Sequence, residues 1–474
     1  MSEQIRTHLN GLLEYKKEYT LQHRDLLNAL CTKFVEVNFR DQASLGEDEK
    51  LNQKQIVVLV IREVLRVAKV HNWGLCKRHD FIYVYNGKNW SLLNEPDLTE
   101  FLGKAAAKMG IPSIEAEHHR FRNELLQQFL AVSNLPEPNT NTDVVLLNTQ
   151  NYTLEITSKG VKPRVHKAED FLTYILTFAY DPTAKAPIFQ RFLDEVLPDQ
   201  SAQYVLAEYL GYIFTNGLKL EKALILFGPG ANGKSVVFEI VTALFGIENV
   251  SNYTLQSLTN DNGYYRAMIA NRLVNYASEI NDKLEASTFK QLVSGEPVEA
   301  RLPYGRPFVI NRYAKLIFNS NELPRDTEQT NAFFRRFLIL PFTVTIPESK
   351  QDKTLARRII ENELSGVLNW VLDGLDRLLT NKNFTYCELA EKAVGQYRKE
   401  SDSVLMFLED HNYQKSEDNT PLQDLYAEYK SYCTLDGYKP VSLKNLLKRL
   451  EAAGYQSIKR NIGKVVFIKR VIII

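Results

Sequence analysis

Residues 224 to 235 read LILFGPGANGKS, four apolar residues running into a glycine-rich turn that closes on lysine and serine. Gly228, Pro229, Gly230, Ala231, Asn232, Gly233, Lys234 and Ser235 satisfy the pattern G-x-x-x-x-G-K-S/T. Glycines let such a loop curl until its N–H groups face phosphate oxygens. Lys234 is then expected to reach the β- and γ-phosphates of ATP, and Ser235 to hold Mg²⁺. The next stretch, SVVFEIVTALFG, is helical in pattern, and its positive N-terminus would face the same anion. A strand before and a helix after are the context the pattern requires, so an α/β nucleotide domain is expected here.

A nucleotide hydrolase also needs a carboxylate at a strand end to organise water and metal. In NRLVNYASEI a strand over 273–277 runs out to Glu279, preceded by Ser278 where most phosphate-loop ATPases carry a second acid. Glu279 is the candidate base and, through water, a candidate Mg²⁺ partner; a capping or salt-bridged glutamate is the plainer alternative. A third strand, AKLIFNSNELP, ends in Asn319 and Asn321, and an amide there can orient the attacking water. FFRRFLILPF sets Arg335 and Arg336 before another apolar strand. Two adjacent guanidiniums beside a core strand are costly unless an anion or a carboxylate partner awaits them.

Between these strands lies KQLVSGEPVEARLPYGRPFVI, whose alternation around PYGR predicts a hairpin tipped by Tyr304, Gly305 and Arg306. A ring and a cation at such a tip suit a nucleic-acid strand, the cation following phosphates and the ring offering a stacking face. A plain surface hairpin is the alternative.

The formal charge of the 474-residue chain is only +1, so any nucleic-acid surface must be local. The tail supplies one: from Lys439 to Arg470 there are nine Lys/Arg against one acid, Glu451. SLKNLLKRLEAAGY reads as a helix capped by Ser442, with leucines inward and Lys444 and Lys448 elsewhere. YQSIKRNIGKVVFIKR then predicts a two-stranded wing turning at residues 461–463, with Lys459, Arg460 and Lys464 near its tip. Helix plus basic wing suggests a winged helix-turn-helix on DNA rather than a merely solvated basic face.

Upstream, FIYVYNGKNWSLL alternates around Asn-Gly and predicts a hairpin, VVLLNTQNYTLEI a second one, and DQASLGEDEK a linker. His118 and His119 have no matching ligand pattern and are read as a solvated helical face. The four cysteines lack metal spacing, and the apolar run QIVVLVIREVLRVAKV is broken by Arg62 and Arg66. A reduced protein of the cytoplasm (the host's, if phage-encoded) with no membrane span is expected.

With GPGANGKS, YASEI, FKQLVSGEPVEAR, NSNELP and FFRRFLILPF in this order, the chain resembles superfamily 3 helicases. It is similar in particular to the branch of poxvirus, satellite-phage and plasmid primase-helicases. FLTYILTFAYDPTAKAPIFQRFL and LAEYLGYIFTN resemble the helical region before the helicase there, and EKAVGQYRKESDSVLMFLED, LYAEYKSYC and KNLLKRLEAAGY its DNA-binding tail. The resemblance implies an AAA+-like phosphate-loop core at 201–345, after an N-terminal helical region at 1–75 and an α+β region at 76–200. A helical connector at 346–400 and a winged-helix domain at 401–474 complete the expected order, with TIPESKQDK as a hinge. It implies further that Glu279 activates water and that Asn321, or failing it Asn319, is the sensor. Lys290 would reach the adjacent subunit's nucleotide, and Arg336, with Arg335 as fallback, would be the arginine finger. Relatives often carry Lys or His at the hairpin tip, where this chain has Tyr304 and Gly305, so DNA contact shifts toward Arg306 and Arg301. Implied partners are single-stranded and forked DNA, five further copies in a homo-hexamer, and a separate primase or host replication proteins, since no priming site is evident. An origin-binding ATPase that melts or marks DNA is the alternative.

Overall fold

The computed structural model describes residues 24–43, 49–78, 81–135, 143–278, 280, 284–303, 305–324, 328–461 and 463–471. It divides into two compact units, Met1–Glu155 with Val161–Leu176, and Ile156–Gly160 with Thr177–Ile474.

In the first unit, Asn52 and Gln55 form a reciprocal capping box that starts the helix Gln53–Val70. Its apolar stripe, including Val60, Ile61 and Val64, is buried with Leu98, Phe101 and Leu102 of the helix Glu95–Lys108. Leu27, Leu30 and Phe34 join the same core. Strands β1 (Gly74–Arg78), β2 (Phe81–Tyr85) and β3 (Trp90–Leu93) form an antiparallel sheet, with Tyr85 opposite Trp90 across the expected Asn86-Gly87 turn. β4 (Val145–Asn148), β5 (Thr153–Thr157) and β6 (Gly160–Arg164) make a second small sheet. His118 and His119 are exposed, and the linker expected at DQASLGEDEK opens instead with a short helix, Phe39–Gln42, before residues 44–48, which lie outside the described residues.

The second unit is built on a five-stranded parallel sheet. Its strands are β7 (Ala223–Phe227), β8 (Val250–Ser251), β9 (Val274–Ala277), β12 (Lys315–Ser320) and β13 (Phe337–Pro341), in the spatial order β13-β7-β12-β9-β8. β7, ALILF, reads as an unbroken apolar run because central parallel strands are covered on both faces, and β12, KLIFNS, is buried from Leu316 to Ser320 although its end carries Asn319 and Ser320. A two-stranded antiparallel ribbon, β10 (Val298–Arg301) and β11 (Pro307–Ile310), leaves the sheet between β9 and β12. The mixed α/β class agrees with expectation.

Helices fix the sheet's covering layer through buried carboxylates. Glu363 accepts from the backbone N–H groups of Ile188 and Phe189, capping the helix Pro187–Val196 from the long helix Leu355–Asn381. Glu208, fully buried, accepts from Thr385 and pairs with Arg377. Residues 171–186, expected to belong to a helical region, contain no helix; that region begins at Pro187. Tyr397 of the helix Glu388–Glu400 packs on Phe334 and Phe337 and donates to the Pro324 carbonyl at 3.0 Å, so this helix buttresses β13.

The last segment carries helices Ser403–Asp410, Leu422–Leu435 and Leu443–Ala452 with a three-stranded sheet of β14 (Tyr413–Pro421), β15 (Ser457–Arg460) and β16 (Gly463–Arg470), in the order β14-β16-β15. Ser442 caps its helix and Leu446, Leu447 and Leu450 are buried, both as predicted. The two-stranded element expected here has a third strand, β14, paired with β16; the polar sequence of β14, YQKSEDNTP, carries little strand signal and does not announce it.

Candidate phosphate-binding site

β7 delivers the chain into the turn at residues 228–233, and the helix Lys234–Phe245 departs from it. Gly228 sits so close to the Phe342 carbonyl that a Cβ would overlap it. Gly233, at φ 86°, would press a Cβ onto Phe192 and Val196, whereas Gly230 has open space around it. Gly228 and Gly233 are therefore glycines of necessity, each packed where a side chain would overlap its neighbours. Ala231 holds a left-handed φ of 57°, and its carbonyl accepts from the Ile346 N–H at 2.7 Å. Asn232, buried, donates Nδ2 to the Phe342 carbonyl at 2.9 Å.

The expected hinge is thus pinned: the chain leaving β13 runs back along the turn and closes it at Phe342 and Ile346. Nothing in the sequence pattern shows this, because the contacts are made by backbone groups more than a hundred positions away.

Lys234 is expected to face ligand, but its side chain is buried. Its Nζ donates to the carbonyls of Gly228 at 2.7 Å and Pro229 at 2.9 Å and to Asn232 Oδ1 at 3.0 Å. Burial pulls its pKa below the ordinary lysine value. Ser235 is exposed in the first turn of the helix. The donor set is one that could hold a phosphate with Mg²⁺: Lys234 Nζ lies across the turn and the Ser235 hydroxyl is open.

Beside the cradle, Asn319 at the end of β12 is buried; it accepts from Tyr276 Oη at 2.8 Å and donates to the Lys234 carbonyl at 3.3 Å. Asn321, the first choice for the sensor, is exposed just beyond the strand. Glu279 lies outside the described residues; Ser278, its neighbour, is exposed at the end of β9.

The arginine pair has a carboxylate within the chain. Glu221 Oε2 lies 2.8 Å from Arg335 Nη2 and 3.4 Å from Arg336 Nη2. Arg336, expected to reach a neighbour, instead turns inward: its side chain is only 9% exposed and donates to Ser294 Oγ and the Ala332 carbonyl. Arg335 is 57% exposed. Lys290 is also engaged within the chain, holding Glu328 at 2.8 Å, and that contact pulls the Glu328 carboxyl below its usual range. Glu221 and Glu328 are functional candidates that the sequence does not signal. Glu221 stands 114 positions from Arg335 and Glu328 stands 38 from Lys290, too far for any spacing pattern.

The hairpin forms as predicted, with Val298 opposite Ile310 and Arg301 opposite Pro307. Arg306 is exposed; Arg301 Nε donates to the Gly305 carbonyl across the tip, and Tyr304 lies outside the described residues. In the tail Lys444, Lys448, Lys459, Arg460 and Lys464 are all solvent-accessible, and Lys459 stands directly opposite Lys464 in the ladder of β15 and β16.

No helix among the described residues is long and apolar enough to cross a membrane. Three segments match family models: residues 64–198 match "D5 N terminal like", 226–336 a family of unknown function (DUF5906), and 399–470 "Poxvirus D5 protein-like". Two of the three are thus D5-like, one on each side of the phosphate segment. Among solved structures, the A form apo structure of the NrS-1 C terminal region aligns over 89% of this chain and 100% of its own, at 12% identity and a TM-score of 0.48. A further apo structure of the NrS-1 C terminal region aligns over 89% and 100%, at 13% identity and a TM-score of 0.45.

Proposed function

We propose that this chain is an ATP-dependent DNA helicase of the superfamily 3 type, assembling as a homo-hexamer and opening DNA at replication initiation in a phage, plasmid or integrated element. The observation that carries this is the cradle at residues 228–233, where two glycines admit no side chain and Lys234 spans the turn. A sheet order with β12 inserted between β7 and β9 supports an AAA+-like core, since it sets β9 and β12 ends side by side beyond the phosphate turn. D5-like matches on both flanks support a viral type of replication protein.

In this mechanism the turn's N–H groups and Lys234 bind the β- and γ-phosphates, and Ser235 would hold Mg²⁺, which would supply charge neutralisation at the phosphoryl oxygens. Glu279 takes the proton from water attacking the γ-phosphorus. Asn321 orients that water, while Asn319 holds the sensor strand against the phosphate helix. Arg306 and Tyr304, with Arg301 bracing the tip, engage a single strand. Lys444 and Lys448 with the wing residues Lys459, Arg460 and Lys464 engage duplex phosphates.

Strand displacement on a forked substrate, with wild type and Lys234→Ala, tests the proposal. ATP-dependent displacement that vanishes in the variant is the expected result. Hydrolysis stimulated by DNA without displacement would favour the alternative, an origin-binding ATPase that melts or marks DNA. No hydrolysis at all in the wild type would end both.

A further inference from the structure

Glu221 lies two residues before β7, with a left-handed φ of 53° that is uncommon for glutamate. Its one carboxylate serves two guanidiniums, and they sit in different environments. Arg336 is buried, takes Ser294 Oγ at 3.0 Å and the Ala332 carbonyl, and keeps an Nε with no partner. Its own carbonyl accepts from the Ala223 N–H at 2.8 Å, at the start of the β7–β13 ladder. Arg335 has Glu221 alone as its side-chain partner among the hydrogen bonds and ion pairs of the described residues, in an open pair at 57% and 33% exposure.

Exposed ion pairs of this kind are weak, so a phosphate can take Arg335 from Glu221. Drawing out Arg336 would strip a buried charge of its partners and is costly. The adjacent arginines are therefore divided by environment: one a strut, one available.

We propose that Glu221 is a positioning residue that splits the pair, locking Arg336 inward as a structural strut and poising Arg335 as the guanidinium delivered to a neighbouring subunit's γ-phosphate. The inference rests on the ring ATPase proposed above. When Arg335 moves to phosphate, the freed carboxylate stays beside Arg336, so the strut is never left with its charge uncompensated. Because Glu221 and Arg336 both flank β7, the strand that carries the phosphate turn, the poised arginine of one subunit is set by the same strand that seats its own nucleotide.

Steady-state ATP hydrolysis by the full chain tests this, using Glu221→Gln, Arg335→Ala, the double variant, Arg336→Ala and mixtures with Lys234→Ala subunits. Arg335→Ala should lower kcat about 10³-fold or more, the scale of a missing arginine finger, and should poison mixed assemblies. Glu221→Gln should lower kcat roughly 10- to 100-fold, the scale of a misplaced group, with KM within about twofold. The double variant should be no slower than Arg335→Ala alone, because Glu221 acts through Arg335. Arg336→Ala should chiefly lower the melting temperature. The inference is overturned if the Glu221 and Arg335 effects multiply, if Glu221→Gln changes melting but not kcat, or if Arg336→Ala melts normally and is the variant that poisons mixtures. Should Lys234→Ala hydrolyse ATP at the wild-type rate, the nucleotide site itself fails and this inference falls with it. An inactive Lys234→Ala with multiplying Glu221 and Arg335 effects sinks the inference alone.

Discussion

Asn319 donates its amide to the backbone carbonyl of Lys234 at 3.3 Å, so the tip of β12 is bonded directly to the first residue of the helix Lys234–Phe245. Its Oδ1 is occupied by Tyr276 Oη, whose own pKa burial pushes well up, keeping the phenol a donor. Asn319 thus has the contacts of a brace across β9, β12 and the helix, whereas Asn321 stands exposed outside the core.

The two amides should separate cleanly on substitution. Asn319→Ala leaves Tyr276 Oη without its acceptor in the interior, at about 1–3 kcal/mol, and should lower the melting temperature by several degrees. Asn321→Ala should melt as wild type while its kcat falls at least about tenfold, as expected for a group that orients water. Equal kcat in Asn321→Ala and wild type would return the sensor role to Asn319.

Lys234 carries a pH signature as well as a chemical one. Burial lowers its folded-state pKa beneath 10.5, so the unfolded chain binds more protons between the lowered value and 10.5. Stability contributed at this site therefore rises as pH climbs through that window, and is smallest below it. Lys234→Met should remove this rise, seen as a flatter melting-temperature profile on the alkaline side, and should abolish ATP hydrolysis. An unchanged profile would mean that the buried ammonium costs the fold nothing.

Asn232 joins the turn to the strand that follows the arginines. It donates to Phe342 and accepts from Lys234, so one side chain fixes both the lysine and the returning chain. Asn232→Ala should weaken binding of a fluorescent ATP analogue by about tenfold or more, the worth of a buried hydrogen bond. Gly230→Ala, with open space at its Cβ, should melt within about a degree of wild type, while Gly233→Ala should melt lower. If Gly233→Ala is as stable as Gly230→Ala, the packing of the turn on Phe192 and Val196 is not as described.

How much of this is legible in the sequence depends on the range of the contact. The phosphate turn, the ribbon at 298–310 and the helix at Ser442 carry their signals within a dozen residues, in glycine spacing, alternation and a cap. The closure of the turn by Phe342 and Ile346, the brace at Asn319 and the carboxylates at Glu221 and Glu328 depend on which segments meet in space. β12 hides its amides especially well: Leu316 to Ser320 are all buried, so alternation cannot say whether Asn319 or Asn321 faces inward. Side-chain burial also separates Arg335, 57% exposed, from Arg336, 9% exposed, which are indistinguishable as neighbours in sequence.

The wing offers a test in which stability and binding move in opposite directions. Lys459 and Lys464 face each other across β15 and β16, and like charges directly opposite are destabilising. Lys464→Gln should therefore hold or raise the melting temperature, by the equivalent of about 0.2–1 kcal/mol. The same substitution should weaken duplex binding, and changing Lys459, Arg460 and Lys464 together should flatten the salt dependence by about 0.9 log unit per log salt for each phosphate left without its cation. Binding should be measured across a salt series on unrelated duplexes, because removing a phosphate-binding cation weakens all sequences alike. A triple variant that binds duplex with the wild-type slope would make the basic wing a solvated face, and DNA binding by residues 401–474 would be refuted.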